Sequence, residues 1–509
     1  MDYLSSPNYL YNIVQLIILK DILKVDRDSQ TPLYLQIAGG IVVYIRQGLL
    51  RPGDALPPTR VLAAALKVHR KTVIAAYDEL YAQNWIDLIT RRGMFVAKNL
   101  PDIAARTFTD NHHEHRIAEK TGFSMTREIQ VQTMFSAARG TLVFNDGFPD
   151  TRIAPVGLLV REYRRLAAYR FTDRYLMYGP EQGSENLRNE LAKFLSSTRG
   201  LKVSAADILI TKGFQMATYL VSQLLLTKND VVIVGDPGYP GANEVFLNAG
   251  AKLWPVAVDQ NGLDVDAVAD VCKTRKVRLI YTIPHHHTPT TVTLSPQRRM
   301  QLLELAKKYR FAILEDDYDY DFQYSSSPVL PLASADYTGN VIYVGSFCKT
   351  IAPGIRIGFM IAPHNLIIQA ARLRRLIDRQ GEQLLEEAMA CLLSSGDIGR
   401  HLKKANKLYH ERRDMLVVLL NEHLSDHITF KVPNGGFAIW ITYNPGIDPA
   451  EVSKIAEGAG LKISDGSGYY IDSKYPNRSI RLGFASLNER EMKEAVILLK
   501  NAVLKVLNT

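Results

Sequence analysis

A chain of 509 residues with 47% hydrophobic and 22% charged residues has material for about two to four domains and at least one large core. Three cysteines without ligand spacing (Cys272, Cys348 and Cys391) argue against a disulfide scaffold or a cysteine metal site and for a reducing, cytoplasmic setting. No apolar run reaches the length of a membrane span, the first 20 residues lack a basic leader and a cleavage site, and the net charge of +9 favours a polyanionic partner only weakly.

The basic charge is placed rather than spread. Between Arg60 and Lys98 lie seven Lys or Arg against three acids. Thr31 is expected to cap a first helix with Pro32 at its first position, apolar residues at 33, 37, 41 and 45 inward, and its end near Gly48. A second helix is expected from Thr59 to Leu66 with Val61, Leu62 and Leu66 inward. A third begins at His69, Arg70 and Lys71 and buries Val73, Ala76, Tyr77 and Leu80. Ile86–Ile89 and Met94–Val96 then read as two strands about a basic turn, Arg91-Arg92-Gly93. A recognition helix with a basic wing suits duplex DNA. Arg60, Lys71, Arg91 and Arg92 are candidates for phosphate, and His69 and Arg70 for base edges. Thr72 is either a contact or a helix-end hydroxyl; the alternative for the whole head is a small helical domain with a solvated basic edge.

The segments LPPTRVLAAALKVHRKTVIAAYDEL (56–80) and IDLITRRGMFVA (86–97) resemble the winged helix-turn-helix (α+β) domain of GntR-type regulators. That family usually has Ser at the position of His69 and a Gly-rich turn at Arg91-Arg92-Gly93. The organisation expected is a DNA-binding head over 1–98, a polar linker over 99–140, a large domain over 141–375 and a small C-terminal subdomain over 376–509. His112, His113 and His115 in the linker have no accompanying cysteines or carboxylate cluster, so no metal site is expected.

Beyond the linker a helix is expected from Val160 to Tyr169, and Ser184 should cap another. Strands at 208–210, 231–237, 251–258, 277–284, 311–322, 341–347 and 358–362 alternate with helices such as Asp264–Cys272 and Pro296–Arg310. The alternation predicts an α/β domain with a mostly parallel sheet, whose sites lie beyond the carboxyl ends of its strands. Tyr239, Pro284, Asp316, Tyr318, Ser346 and Lys349 all fall there. A lysine beside hydroxyls at a strand end suits a Schiff base, with Ser346, Thr350 and Arg356 near a phosphate and Lys212-Gly213-Phe214-Gln215 offering free N–H groups where a helix begins. An aldehyde-bearing pyridine cofactor also needs an acid at its ring nitrogen, which Asp316 supplies; Tyr318 reaches the phenolic oxygen and Tyr239 stacks on the ring. The bland alternatives are a surface lysine between buried strands and a solvated acidic strand end at EDDYDYDF.

The stretch GSFCKTIAPGIRIGF (345–359) resembles that of fold-type-I aminotransferases over about residues 141 to 505. The resemblance implies pyridoxal 5'-phosphate on Lys349, with Asp316 at the ring nitrogen, Tyr318 at the phenolic oxygen, Tyr239 stacked on the ring, and Ser346, Arg356 and Gly213-Phe214-Gln215 at the phosphate. It also implies that Tyr178 reaches the cofactor of a dimer mate and that Arg481 clamps a carboxylate. Helices at Gln380–Leu393 and His401–Asn421, and strands at Lys431–Ile441, with a Gly435-Gly436 turn, and Ser479–Ala485 suit the smaller subdomain.

Head and body together resemble the MocR subfamily of GntR-type regulators. The resemblance implies a transcription regulator that holds pyridoxal 5'-phosphate through a lysine Schiff base, senses an amino compound or the cofactor itself, and reads a double-stranded operator as a domain-swapped homodimer. Four departures stand out: Pro284-His285-His286-His287-Thr288-Pro289-Thr290-Thr291 has Thr288 at the aminotransferase Asn position and Thr291 at a turn glycine, Cys348 replaces Ser, and Gly235 replaces Glu. They argue against efficient transamination more than against cofactor binding, leaving residual aminotransferase activity at most. The alternatives are an amino-acid aminotransferase with an accessory head and a DNA-binding protein whose body no longer holds cofactor.

Overall fold

The computed structural model describes residues 25–90, 92–100, 120–125, 129, 131, 141–169, 172–324, 329–471 and 477–508. His112, His113, His115 and Arg91 lie outside the described residues. The chain divides into two compact units, Met1–Thr126 and Arg127–Thr509.

In the first unit, helical spacing of Ile37, Ala38, Ile41, Tyr44 and Ile45 buries one face of the helix Leu33–Arg46. Thr31 does not cap it: Pro32 occupies the cap without a side-chain bond, and the Gln36 carboxamide donates to the Thr31 carbonyl at 2.7 Å. The helix Thr59–Leu66 has the expected bounds, but Leu62 and Ala63 are its buried residues and Val61 is 41% exposed. The third helix, Arg70–Ala82, buries Val73, Ala76, Tyr77 and Leu80 as its sequence spacing predicts. The Tyr77 hydroxyl donates to the Pro57 carbonyl at 2.8 Å and ties this helix to the turn before the second. Strands β1 (Ile86–Ile89) and β2 (Gly93–Val96) pair antiparallel as the wing.

The second unit opens with β3 (Leu142–Phe144). Its main sheet contains β4 (Ile208–Thr211), β5 (Val231–Asp236), β6 (Lys252–Asp259), β7 (Gly262–Leu263), β8 (Val277–Thr282), β9 (Ala312–Asp317), β10 (Val341–Ser346) and β11 (Gly358–Ile361), in the order β4-β11-β10-β9-β8-β5-β6-β7. The five strands from β10 to β6 run parallel, and β11 is antiparallel to both its neighbours. Near-continuous burial along β4, β10 and β11 matches a sheet covered on both faces.

Several bounds differ from the sequence reading. The first body helix is Val156–Ala167, not 160–169. Strand β9 stops at Asp317, so residues 318–322 leave the sheet. The strand region expected over 431–441 with its Gly435-Gly436 turn is shifted, with β12 (Ile428–Phe430) before and β13 (Ala438–Tyr443) after the loop that contains the turn. With β15 (Ser479–Gly483) they form a three-stranded antiparallel sheet. Strand β14 (Leu461–Ile463) pairs parallel with β3, which builds the residues just after the linker into the C-terminal layer. The expected division after 375 falls inside the helix His364–Ile377. Among the described residues no helix is long and apolar enough to cross a membrane.

Candidate functional site

Strand β10 and the turn that follows it deliver Ser346 and Lys349 to the carboxyl end of the sheet. Lys349 Nζ donates to the Gly147 carbonyl at 2.7 Å and lies 4.0 Å from the centre of the Phe148 ring. Burial, then the neighbouring Arg481 charge, lowers its pKa to about 8. A neutral, nucleophilic fraction therefore exists near neutral pH, unlike that of a surface lysine.

The acidic run does not end in solvent. Glu315, Asp316, Asp317 and Asp319 are all at most 4% exposed. Alternation along β9 sends Asp316 to the face opposite that of Glu315 and Asp317. Glu315 accepts from the Leu332 and Ala333 amides at 2.7 and 2.9 Å, and Asp317 from the Tyr343 hydroxyl at 2.5 Å. Asp316 Oδ2 accepts from the Tyr281 hydroxyl at 2.9 Å, whereas its Oδ1 is buried without a hydrogen-bond partner. Burial raises the Asp316 pKa well above the usual carboxylate range. An unsatisfied buried carboxyl oxygen costs about 1–3 kcal/mol or more, and a protonated ring nitrogen is a donor that fits it.

Tyr318 follows two residues on. Its hydroxyl donates to the His286 carbonyl at 3.0 Å and accepts from Thr288 Oγ1 and Arg481 Nη2, each at 3.1 Å. Thr288 thus bonds the Tyr318 hydroxyl from the place where the aminotransferase resemblance expects Asn. Tyr239 caps the helix Pro240–Asn248, its ring 6.0 Å from that of Phe214. Burial and the Asp316 charge push its phenol up to about 12.

At the other end, Gly213 has φ +83° at the cap of the helix Phe214–Leu225. A Cβ there would stand 2.9 Å from Arg356 Nη2, so only glycine lets the guanidinium come this close. Arg356 donates through Nη2 to the Lys212 carbonyl and through Nη1 to Cys348 Sγ at 3.4 Å. Ser346 Oγ accepts from the Cys348 amide at 3.1 Å. Cys348, unexplained by sequence, therefore sits between the two groups expected at the phosphate. Gln215 turns its carboxamide to the Gly241 carbonyl at 3.3 Å instead of leaving it free for phosphate.

Arg481 is 1% exposed on β15 and donates to the Asp146 carbonyl at 3.0 Å and the Pro289 carbonyl at 2.8 Å, besides Tyr318. Tyr178 is not brought to this group; it is 72% exposed, with the Arg379 guanidinium 3.8 Å from its ring centre. The histidine run is wholly buried: His285 faces Asp317 at 3.2 Å, His286 faces Asp319 at 2.8 Å and His287 Nδ1 meets Thr290 Oγ1 at 2.9 Å. A Cβ on Gly235 would lie 3.0 Å from His287 Nε2, so the glycine and the histidine share one space. Sequence reading missed Gly147, Phe148 and Tyr281; the only local signal was their nearness to turn or strand ends.

In the head, His69 caps the recognition helix, its Nδ1 accepting from the Lys71 amide at 3.2 Å. An accepting Nδ1 leaves the proton on Nε2, an exposed donor. Arg70 donates through Nε to Thr59 Oγ1 at 3.3 Å. Arg60, Lys71 and Arg92 are exposed and Thr72 is half-buried.

Comparison with known proteins agrees with both units. The model of bacterial regulatory proteins of the gntR family matches residues 33–96, and that of aminotransferase class I and II matches residues 164–498. The chain is 29% identical to the probable rhizopine catabolism regulatory protein MocR of Rhizobium meliloti, over 95% of this chain and 96% of that protein. It is 30% identical to the uncharacterized HTH-type transcriptional regulator YisV of Bacillus subtilis, over 91% of this chain and 95% of that one. The crystal structure of Pyrococcus horikoshii kynurenine aminotransferase in complex with PMP superposes with a TM-score of 0.68 at 28% identity, covering 72% of this chain and 92% of that chain. The chain belongs to the GntR/MocR family of transcription regulators, a winged helix-turn-helix head joined to a fold-type-I aminotransferase-like body.

Proposed function

We propose that this regulator holds pyridoxal 5'-phosphate on Lys349 and changes its grip on DNA when an amino compound, or the cofactor itself, binds there. The observation that carries the reading is Asp316 Oδ1, a buried acceptor without a donor at the end of the strand beside the one that delivers Lys349. When bound, the cofactor supplies an aldehyde for an amine and a ring that accepts electrons once its nitrogen is protonated.

The chain's own residues divide the work. Lys349 offers a partly neutral amine, and Asp316 accepts from the ring nitrogen. Tyr318, oriented by Thr288 and Arg481, meets the phenolic oxygen, while Tyr239 and Phe214 flank the ring. Ser346, Arg356 and the amides from Gly213 to Gln215 hold the phosphate. Arg481 retains N–H groups for an effector carboxylate, and Tyr178 completes the site of the other copy in a domain-swapped homodimer. In the head, Arg60, Lys71, Arg91 and Arg92 meet phosphates, His69 and Arg70 meet base edges, and Thr72 lies beside them. The DNA-reading head ends near 98 and the body begins near 141, while the two parts of the body share the helix His364–Ile377.

An aminotransferase reading keeps support from one observation: Lys349, Asp316, Tyr318 and Arg481 are neighbours, with Arg481 bonded to the Tyr318 hydroxyl at 3.1 Å and Lys349 Nζ 5.8 Å from the Tyr318 ring centre. The deciding experiment loads the full chain with pyridoxal phosphate and follows its visible absorption in wild type and Lys349→Ala, then tests turnover with an amino donor and a keto acid. A Lys349-dependent band with negligible turnover supports the sensor; brisk turnover supports the enzyme; no band removes both.

A further inference from the structure

Tyr281 lies on β8 opposite Leu314 of β9. Side chains in register on parallel neighbours share a face, as do residues two apart on one strand. The Tyr281 phenol thus rises on the face that carries Asp316 and donates to Asp316 Oδ2 at 2.9 Å. Both residues are at most 4% exposed. The ring is held by Phe214 and Phe246, at centroid distances of 5.9 and 5.8 Å. No other hydrogen bond to the Asp316 carboxyl is made among the described residues, and its second oxygen is buried without a partner.

We propose that Tyr281 is the positioning residue of the cofactor site, fixing which oxygen of Asp316 faces the ring nitrogen and favouring the charged form of that carboxyl against its burial. The role rests on the cofactor reading given above. A buried carboxyl with no donor prefers to be neutral; a phenol donating to one oxygen favours the carboxylate and leaves the other oxygen turned outward. A neutral Asp316 could not stabilise a protonated ring. Tyr281 therefore favours a protonated ring nitrogen without touching the cofactor.

The test uses full-length protein loaded with pyridoxal phosphate labelled with nitrogen-15 in its ring, read by the nitrogen-15 resonance at neutral pH. Wild type should show the position of a protonated ring. Tyr281→Phe, which removes one oxygen and keeps the ring packing, should move the resonance toward that of a neutral pyridine and weaken cofactor binding about tenfold. Phe246→Leu disturbs the packing around Tyr281 and keeps its hydroxyl; its resonance should stay with wild type. A Tyr281→Phe resonance that coincides with wild type, or a Phe246→Leu resonance that moves as far, overturns the proposal. Wild type that fails to load at all overturns the cofactor site itself, which separates the two failures.

Discussion

Lys349 Nζ and the Gly147 carbonyl oxygen are 2.7 Å apart, so the half-buried ammonium is held by the loop that leads from β3 into the first body helix. Burial and the Arg481 charge outweigh the nearby Asp319 and Asp146 carboxylates, so the pKa is still lowered to about 8. The folded chain gives up this proton more readily than the unfolded chain does. Between pH about 8 and the ordinary lysine range the unfolded state binds more protons, so stability rises with pH in that window; below it the destabilisation is full. Lys349→Met in cofactor-free protein should therefore unfold at higher denaturant than wild type at neutral pH, by roughly 1–2 kcal/mol. The gap should close as the pH is raised, as urea titrations at several pH values would show.

Gly213→Ala places a Cβ at a left-handed position and 2.9 Å from Arg356 Nη2. The strain should lower stability by about 1–2 kcal/mol. Displacement of Arg356 should also raise the dissociation constant for pyridoxal phosphate at least tenfold, measured by absorbance titration.

Gly235 and His287 occupy one space, so their substitutions should couple. Gly235→Glu alone collides with His287 Nε2 and with Val258 Cγ2, which would lie 2.8 Å from the new Cβ. It should destabilise by roughly 2–3 kcal/mol. Removing the imidazole first, in His287→Ala, should relieve part of this, giving a coupling of about 1 kcal/mol in a double-mutant cycle of unfolding midpoints.

His69 has two functions that substitution separates. His69→Ser keeps a cap on the recognition helix and loses the outward Nε2 donor, so it should leave stability within about 0.5 kcal/mol and weaken specific DNA binding. His69→Ala should lose about 1 kcal/mol as well. Lys71→Ala and Arg92→Ala should weaken binding to all sequences and reduce the salt slope by about one each, read by fluorescence anisotropy over a salt series.

Periodicity carried the head and the sheet well. The stripe Val73, Ala76, Tyr77 and Leu80 and the bounds of Thr59–Leu66 follow from spacing alone. Val61 failed because an eight-residue helix offers two apolar faces and packing chose Leu62 with Ala63. The strand ends of β9 and β10 placed Asp316 and Lys349 because chemistry in parallel sheets collects there. What spacing could not reveal were pairings across distant sequence: Gly147 with Lys349, Tyr281 with Asp316, Gly235 with His287. His69 was read only as a DNA contact because a capping imidazole is absent from the usual set of cap residues.

The central claim, that occupancy of the Lys349 site controls the head, is tested most directly by DNA binding of the full chain. Wild type and Lys349→Ala would be titrated against the region upstream of the regulator's own gene at fixed, stated salt, with and without pyridoxal phosphate and with a panel of amines. The account predicts specific binding whose affinity changes with cofactor or amine in wild type and not in Lys349→Ala. Specific binding that is identical in every state, or the same ligand response in Lys349→Ala, would contradict it.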